Sequence, residues 1–151
     1  MEGFIVMSDA AVELKRCWKP EAGDRFYVKN DLYLSGDKLT VIKSERKSYT
    51  EGIHVLCEGD EYLEDLQLHC VWLASQDQLQ RLLKRRFITN SSMMKAFGAF
   101  CYQERYGRLI RNYSIEELWL MFYYYEIHDK MWDGHDWVKI DKTNLMGEVW
   151  S

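Results

Sequence analysis

Residues 115–129 constrain this chain more than any other segment. Ile115, Leu118, Trp119 and Phe122 fall on one helical stripe, and Leu120, Met121, Tyr123, Tyr124, Tyr125 and Ile127 occupy the other sides. Ser114-x-x-Glu117 opens the segment as a capping box, in which hydroxyl and carboxylate each satisfy an orphan N–H. The pattern predicts a helix from Ile115 to about Asp129 with almost no polar face. Such a helix is buried on several sides, either at the centre of a domain or with one face against another protein. Leu118, Trp119 and Phe122 are its expected core. Successive helical residues step about 100°, so Tyr123, Tyr124 and Tyr125 cover most of the circumference. At least one tyrosine is therefore expected at the surface, near Met121 or Trp132. A second copy of the chain is the simplest partner for that patch, as a homodimer.

Two further helices precede it. Ser75-x-x-Gln78 is a capping box leading into Leu79, Leu82, Leu83 and Phe87. A second helix is expected from Ser91 or Ser92, with Met93, Phe97, Phe100 and Cys101 on one face and Gly107 as its stop. The first half of the chain reads as β structure. Trp18 to Asp24 is a turn set by Pro20 and Gly23, and Arg25–Val28 follows as a short strand. Leu32 and Leu34 pair with Leu39 and Val41 around a Ser35–Lys38 loop, and Ile53 to Cys57 and Leu68 to Trp72 alternate with period two. The expected architecture is α+β: a small antiparallel sheet from the N-terminal half packed against about three helices from the C-terminal half.

The chain has 151 residues, 47% of them apolar and 15% aromatic, which suits one folded domain and excludes general disorder. Residues 1–151 are expected to form a single domain, with 1–14 as a loosely attached N-terminal segment. The net charge of −4 is too weak for non-specific nucleic-acid binding. Cys17, Cys57, Cys70 and Cys101 have no C-x-x-C spacing, so a zinc ribbon or redox pair is not expected. The N-terminus lacks the basic and long apolar regions of a signal peptide, and no apolar run is long enough to span a membrane. A cytoplasmic protein follows as the expectation.

No P-loop, dinucleotide fingerprint, nucleophile elbow or H-E-x-x-H motif is present in the sequence. The best candidate for chemistry is His128 with Asp133, His135 and Asp136, whose imidazole and carboxylate groups could hold a divalent metal and activate water. Its spacing is poor, and a polar turn around Asp133-Gly134 is the competing reading. Lys84, Arg85 and Arg86 offer a phosphate or nucleic-acid site, or simply a solvated helix end. Glu61, Glu64 and Asp65 lie in an acidic connection suited to a basic partner surface. Trp132 and Trp137 bracket Asp-Gly-His-Asp as core residues or, with the three tyrosines, as partner-binding anchors.

Trp72-Leu73-Ala74-Ser75-Gln76-Asp77-Gln78-Leu79-Gln80, Ser114-Ile115-Glu116-Glu117-Leu118-Trp119-Leu120 and Trp132-Asp133-Gly134-His135-Asp136-Trp137 together resemble a family of small uncharacterised proteins of phages and prophages in Gram-positive bacteria. The resemblance spans roughly Trp18 to Val138, with Ala74 where the family has Pro. It brings no activity or cofactor with it. It implies a phage-type accessory protein in the host cytoplasm that binds a host macromolecule, with inhibition of a bacterial defence or regulatory protein as the leading version. A metal-dependent hydrolase built on His128–Asp136 and a small-molecule or nucleotide-binding module are the alternatives. The cysteines are expected to be thiols. Alkylation in denaturant without reductant should add four adducts per chain by intact mass, and a pair protected until reductant is added would overturn this.

Overall fold

The computed structural model describes residues 2–29, 39–48, 52–57, 62–63, 70–103 and 109–142. The fold class is α+β. The chain divides into two compact units, Met1–Ser75 and Gln76–Ser151.

The first unit opens with two short helices, α1 (Glu2–Asp9) and α2 (Val12–Arg16). Phe4, Met7, Ser8, Ala11, Leu14 and Trp18 are all buried. Phe4, Met7, Ala11, Leu14 and Trp18 recur every three or four residues, an apolar spacing that runs through both helices. The N-terminal segment is therefore an integral part of this unit and not the loose attachment expected. Burying side chains such as Phe4, Met7 and Leu14 contributes about 1.5–3 kcal/mol each.

A corner joins α2 to the sheet. Gly23 takes φ +93°, which its missing Cβ permits. Asp24 is buried, and its Oδ2 accepts from Trp18 Nε1 at 2.9 Å and from the Glu21 amide at 3.1 Å. The carboxylate thereby pins the indole over β1 (Arg25–Val28), where Trp18 lies flat against Trp72 at 5.9 Å and tilted against Phe26 at 6.1 Å.

β1 sits between β2 (Leu39–Ser48) and β5 (Cys70–Trp72), while β3 (Gly52–Cys57) and β4 (Tyr62–Leu63) extend the far side. All neighbours are antiparallel, in the order β4-β3-β2-β1-β5. Phe26 stands opposite Thr40 on one side and Trp72 on the other. The strands expected at Arg25–Val28 and Ile53–Cys57 are present, the one expected over Leu68–Trp72 is described from Cys70 to Trp72, and β2 runs on to Ser48 past the expected alternation. In β5, Cys70, Val71 and Trp72 are all buried, so its pattern is continuous and not alternating. The expected Leu32–Leu34 strand and Ser35–Lys38 loop lie outside the described residues.

The second unit contains α3 (Gln76–Leu83), α4 (Asn90–Tyr102), a 3₁₀ turn (Leu109–Arg111), α5 (Ile115–Tyr123), a π turn (Tyr124–His128), and a hairpin of β6 (Lys130–Trp132) and β7 (Trp137–Lys139). α5 is the centre of this unit. It packs on α3 and α4, and Leu118 to Tyr123 are six successive buried residues. Its expected capping box is formed: Glu117 N donates to Ser114 Oγ at 3.2 Å, and Ser114 N donates to Glu117 Oε1 at 2.9 Å. Trp119 stacks on Phe97 with centroids 3.7 Å apart, and Phe122 meets Phe87, Phe97, Phe100 and Trp119 at 5.4–5.9 Å.

Four boundaries differ from those expected. α3 ends at Leu83, so Lys84-Arg85-Arg86 form the turn after it, and Phe87 reaches Phe122 from the connection beyond. α4 starts at Asn90 because Thr89, not a serine, caps it: Ser92 N donates to Thr89 Oγ1 at 3.0 Å, and Thr89 N donates to Ser92 Oγ at 3.3 Å. Tyr102 ends α4 with Gln103 already extended, and the expected stop at Gly107 lies outside the described residues. Finally, α5 gives way to the π turn at Tyr124.

Trp119→Ala removes the side chain that joins α4 to α5 in a fully buried setting. It should cost about 3–5 kcal/mol, a large share of an ordinary domain's stability. Chemical denaturation followed by circular dichroism measures this, and a loss below about 1 kcal/mol would contradict the central role given to α5.

Candidate functional site

The aromatic end of α5 is where the sequence led us to expect a partner surface, and within the chain most of these side chains are covered. Met121, Tyr123, Tyr124, Trp132 and Trp137 are buried, and Tyr125 is half-buried. The physical reason is the β6–β7 hairpin. Its register pairs Trp132 with Trp137, whose rings meet at 5.2 Å, and Trp137 stacks on Tyr124 at 4.1 Å. A hairpin folded back on the helix end provides the extra layer that three consecutive tyrosines require. Tyr125 packs on Phe100 at 5.2 Å, and Lys142 Nζ lies 4.4 Å from its ring centroid.

The π turn explains where His128 goes. Residues five apart diverge on an α-helix, but the wider turn, closed by Asp129 N donating to Tyr124 O, brings them together. His128 Nε2 lies 3.2 Å from Tyr123 Oη, and its ring packs against Tyr123 and Tyr124 at 5.3 and 4.9 Å. Asp129 stops the turn in the left-handed region, at φ 53° and ψ 46°, a conformation short polar side chains tolerate. Cations cover the exposed carbonyls at this end. Arg86 donates through Nε and Nη2 to Glu126 O at 3.0 and 2.7 Å, Lys139 Nζ donates to His128 O at 3.3 Å, and Lys142 pairs with Asp129 at 3.0 Å.

The other members of the expected metal cluster lie in the hairpin loop. Asp133 Oδ1 accepts from the His135 and Asp136 amides, both at 2.7 Å, while Gly134 takes φ +103°. Asp136 Oδ1 accepts from the Trp137 amide at 2.8 Å. Among the described residues, no group of three or more His, Cys, Asp or Glu side chains is placed to hold a metal. His128, Asp133, His135 and Asp136 are not brought together as a ligand set: the first packs among tyrosines, and the carboxylates shape a turn. Backbone N–H donors from Asp136 and His135 hold the Asp133 carboxyl below its ordinary range, and the Lys142 ammonium does the same for Asp129.

Among the cysteines whose side chains are described, Cys17, Cys70 and Cys101 are thiols, and burial pushes Cys101 up to about 11. Cys101 therefore stays protonated at neutral pH and has little nucleophilic character. Glu61, Glu64 and Asp65, the acidic partner-binding candidates, lie outside the described residues.

What the structure does expose is a shoulder where α3 hands over to α4. Lys84, Arg85 and Arg86 are exposed, Arg86 while capping the helix end. Ile88 stands fully in solvent, and further on Met94 and Tyr102 keep 49% and 61% of their surface exposed on α4. The buried stripe of Met93, Phe97, Phe100 and Cys101 was legible in the sequence; the apolar residues left on the opposite side were the signal that could have revealed the shoulder. Comparison with protein-family models, curated proteins and solved structures returned no match.

The depressed Asp133 and Asp129 carboxyls carry a pH dependence of definite sign. Their folded pKa lies below the unfolded value of about 3.9, so their stabilisation is complete above that pH and is lost as pH falls through the folded value. Amide exchange at 134–138, corrected for intrinsic rate, should accelerate in this acid range. Asp133→Ala should make the loop open already at neutral pH and remove most of the acid response. Unchanged exchange in that variant would show that the turn does not depend on the carboxylate.

Proposed function

We propose that this chain acts by binding another protein through the α3–α4 shoulder. The observation that carries the reading is the exposure of three large apolar side chains, Ile88, Met94 and Tyr102, within residues 88–102. A fully solvated isoleucine beside an apolar helix face contributes nothing to the fold, whereas large apolar side chains in that setting are the usual anchors of protein contacts. In the phage setting that the sequence motifs suggest, the partner is a host protein, and a bacterial defence or regulatory protein is the target we favour. No comparable arrangement among the described residues supports the hydrolase or nucleotide-binding alternatives.

The test is capture from a lysate of a Gram-positive bacterium with immobilised parent protein and with the double variant Ile88→Asp, Tyr102→Ala. Both substituted side chains are exposed, so the variant should melt like the parent. It should lose a protein that the parent retains, with affinity reduced at least about tenfold once that protein is purified. Equal retention by parent and variant would rule out the shoulder as the docking surface.

A further inference from the structure

We infer that the partner element received by the shoulder is an acidic amphipathic α-helix that crosses α4 at Gly98. The inference deepens the protein-binding reading and rests on it. Gly98 is in the middle of α4, where glycine weakens a helix relative to alanine. Packing among the described residues gives no reason for it, because a Cβ built there meets nothing within 4 Å. Met94 and Tyr102 stand one turn before and one turn after it on the same side. This makes a shallow saddle, with a side chain at each end and bare backbone between. A crossing helix fits such a site, because close approach of two helices needs a small residue at the crossing and ridges on either side.

Charge supplies the second, independent argument. The chain as a whole is acidic, with net charge −4, yet the stretch from Arg81 to Lys95 contains Arg81, Lys84, Arg85, Arg86 and Lys95 and no carboxylate. All five are exposed. Arg81 meets Asp77 from the preceding turn at 3.3 Å, and Arg86 caps Glu126 O, which leaves Lys84, Arg85 and Lys95 as the exposed cations this stretch offers to an acidic partner. A helix that lays apolar residues on Met94, Gly98 and Tyr102 while presenting Asp or Glu along its edges satisfies both features at once. A nucleic acid could meet Lys84 and Arg85 but would find only one cation along the whole of α4, Lys95, and no use for the apolar saddle.

The probe is a displayed library of helices about twenty residues long, apolar at every third or fourth position and randomised elsewhere. Selected binders should be enriched in Asp and Glu. Gly98→Leu and the double variant Lys84→Glu, Arg85→Glu should each weaken them at least about tenfold. Gly98→Ala gives the sharpest discrimination. It should raise the melting temperature of the free protein by about 2 °C while weakening the selected helices. An empty selection, binders without acidic bias, or full affinity for Gly98→Leu would overturn the inference. So would a parent dimer in sedimentation that Gly98→Leu dissolves, or phosphatidylserine-vesicle or oligonucleotide binding that the charge-reversed variant alone abolishes. If the lysate partner still requires Ile88 and Tyr102 but no acidic helix is selected, the protein-binding reading stands and only the acidic helix falls. Selected helices that bind the Ile88→Asp, Tyr102→Ala protein with parent affinity would remove the shoulder reading itself.

Discussion

A helix that is apolar on every side must be covered on every side, and much of the second unit is the consequence of that requirement in α5. α3 and α4 cover two sides through Leu79, Leu83, Met93, Phe97 and Phe100. The remaining tyrosines are too large and too evenly spread for two helices to hide. The chain meets the need by widening the last turn and folding a tryptophan hairpin back over it. The π turn and the hairpin belong together: one redirects Tyr124 and His128, and the other supplies the ring that stacks on Tyr124.

The first unit rests on a polar interaction. Asp24 is a buried carboxylate that holds Trp18 over the sheet through the indole N–H, and the same residue joins the corner to β2 through Ile42 N donating to Asp24 O at 3.0 Å. Removing the carboxylate would leave a buried indole N–H unpaired, at a cost of about 1–3 kcal/mol. Among the described residues, Ser8 Oγ, Thr40 Oγ1 and Trp72 Nε1 are buried polar atoms with no hydrogen-bond partner.

Legibility in the sequence followed the strength of local signals. The Ser114–Glu117 capping box and the stripe of Leu118, Trp119 and Phe122 placed α5 correctly, because propensity, capping and periodicity agree there. The N-terminal helices were not anticipated, because Ile5 and Val6 interrupt the stripe of Phe4, Met7, Ala11 and Leu14 and make it look like a short unpatterned run. The C-terminal end of α5 misled for another reason. Assigning exposure from a 100° step assumes a continuous α-helix, and the π turn breaks that assumption at the three tyrosines. The polar turn at Asp133-Gly134 was legible from the dipeptide alone, but that it brings Trp132 opposite Trp137 depends on strand register. Ile88 and Gly98 carried no periodic signal, since what distinguishes them is that nothing among the described residues packs over them.

The connection that presents Ile88 is unusually well tethered for a surface segment. Arg86 reaches back to Glu126 O, Phe87 inserts against Phe122, and Thr89 is locked into a reciprocal cap with Ser92. The backbone on both sides of the exposed side chain is thus tied to the aromatic interior. A partner meeting this segment would find it already ordered, with little loop entropy left to surrender on association, so a small contact area could sustain a higher affinity than its size suggests.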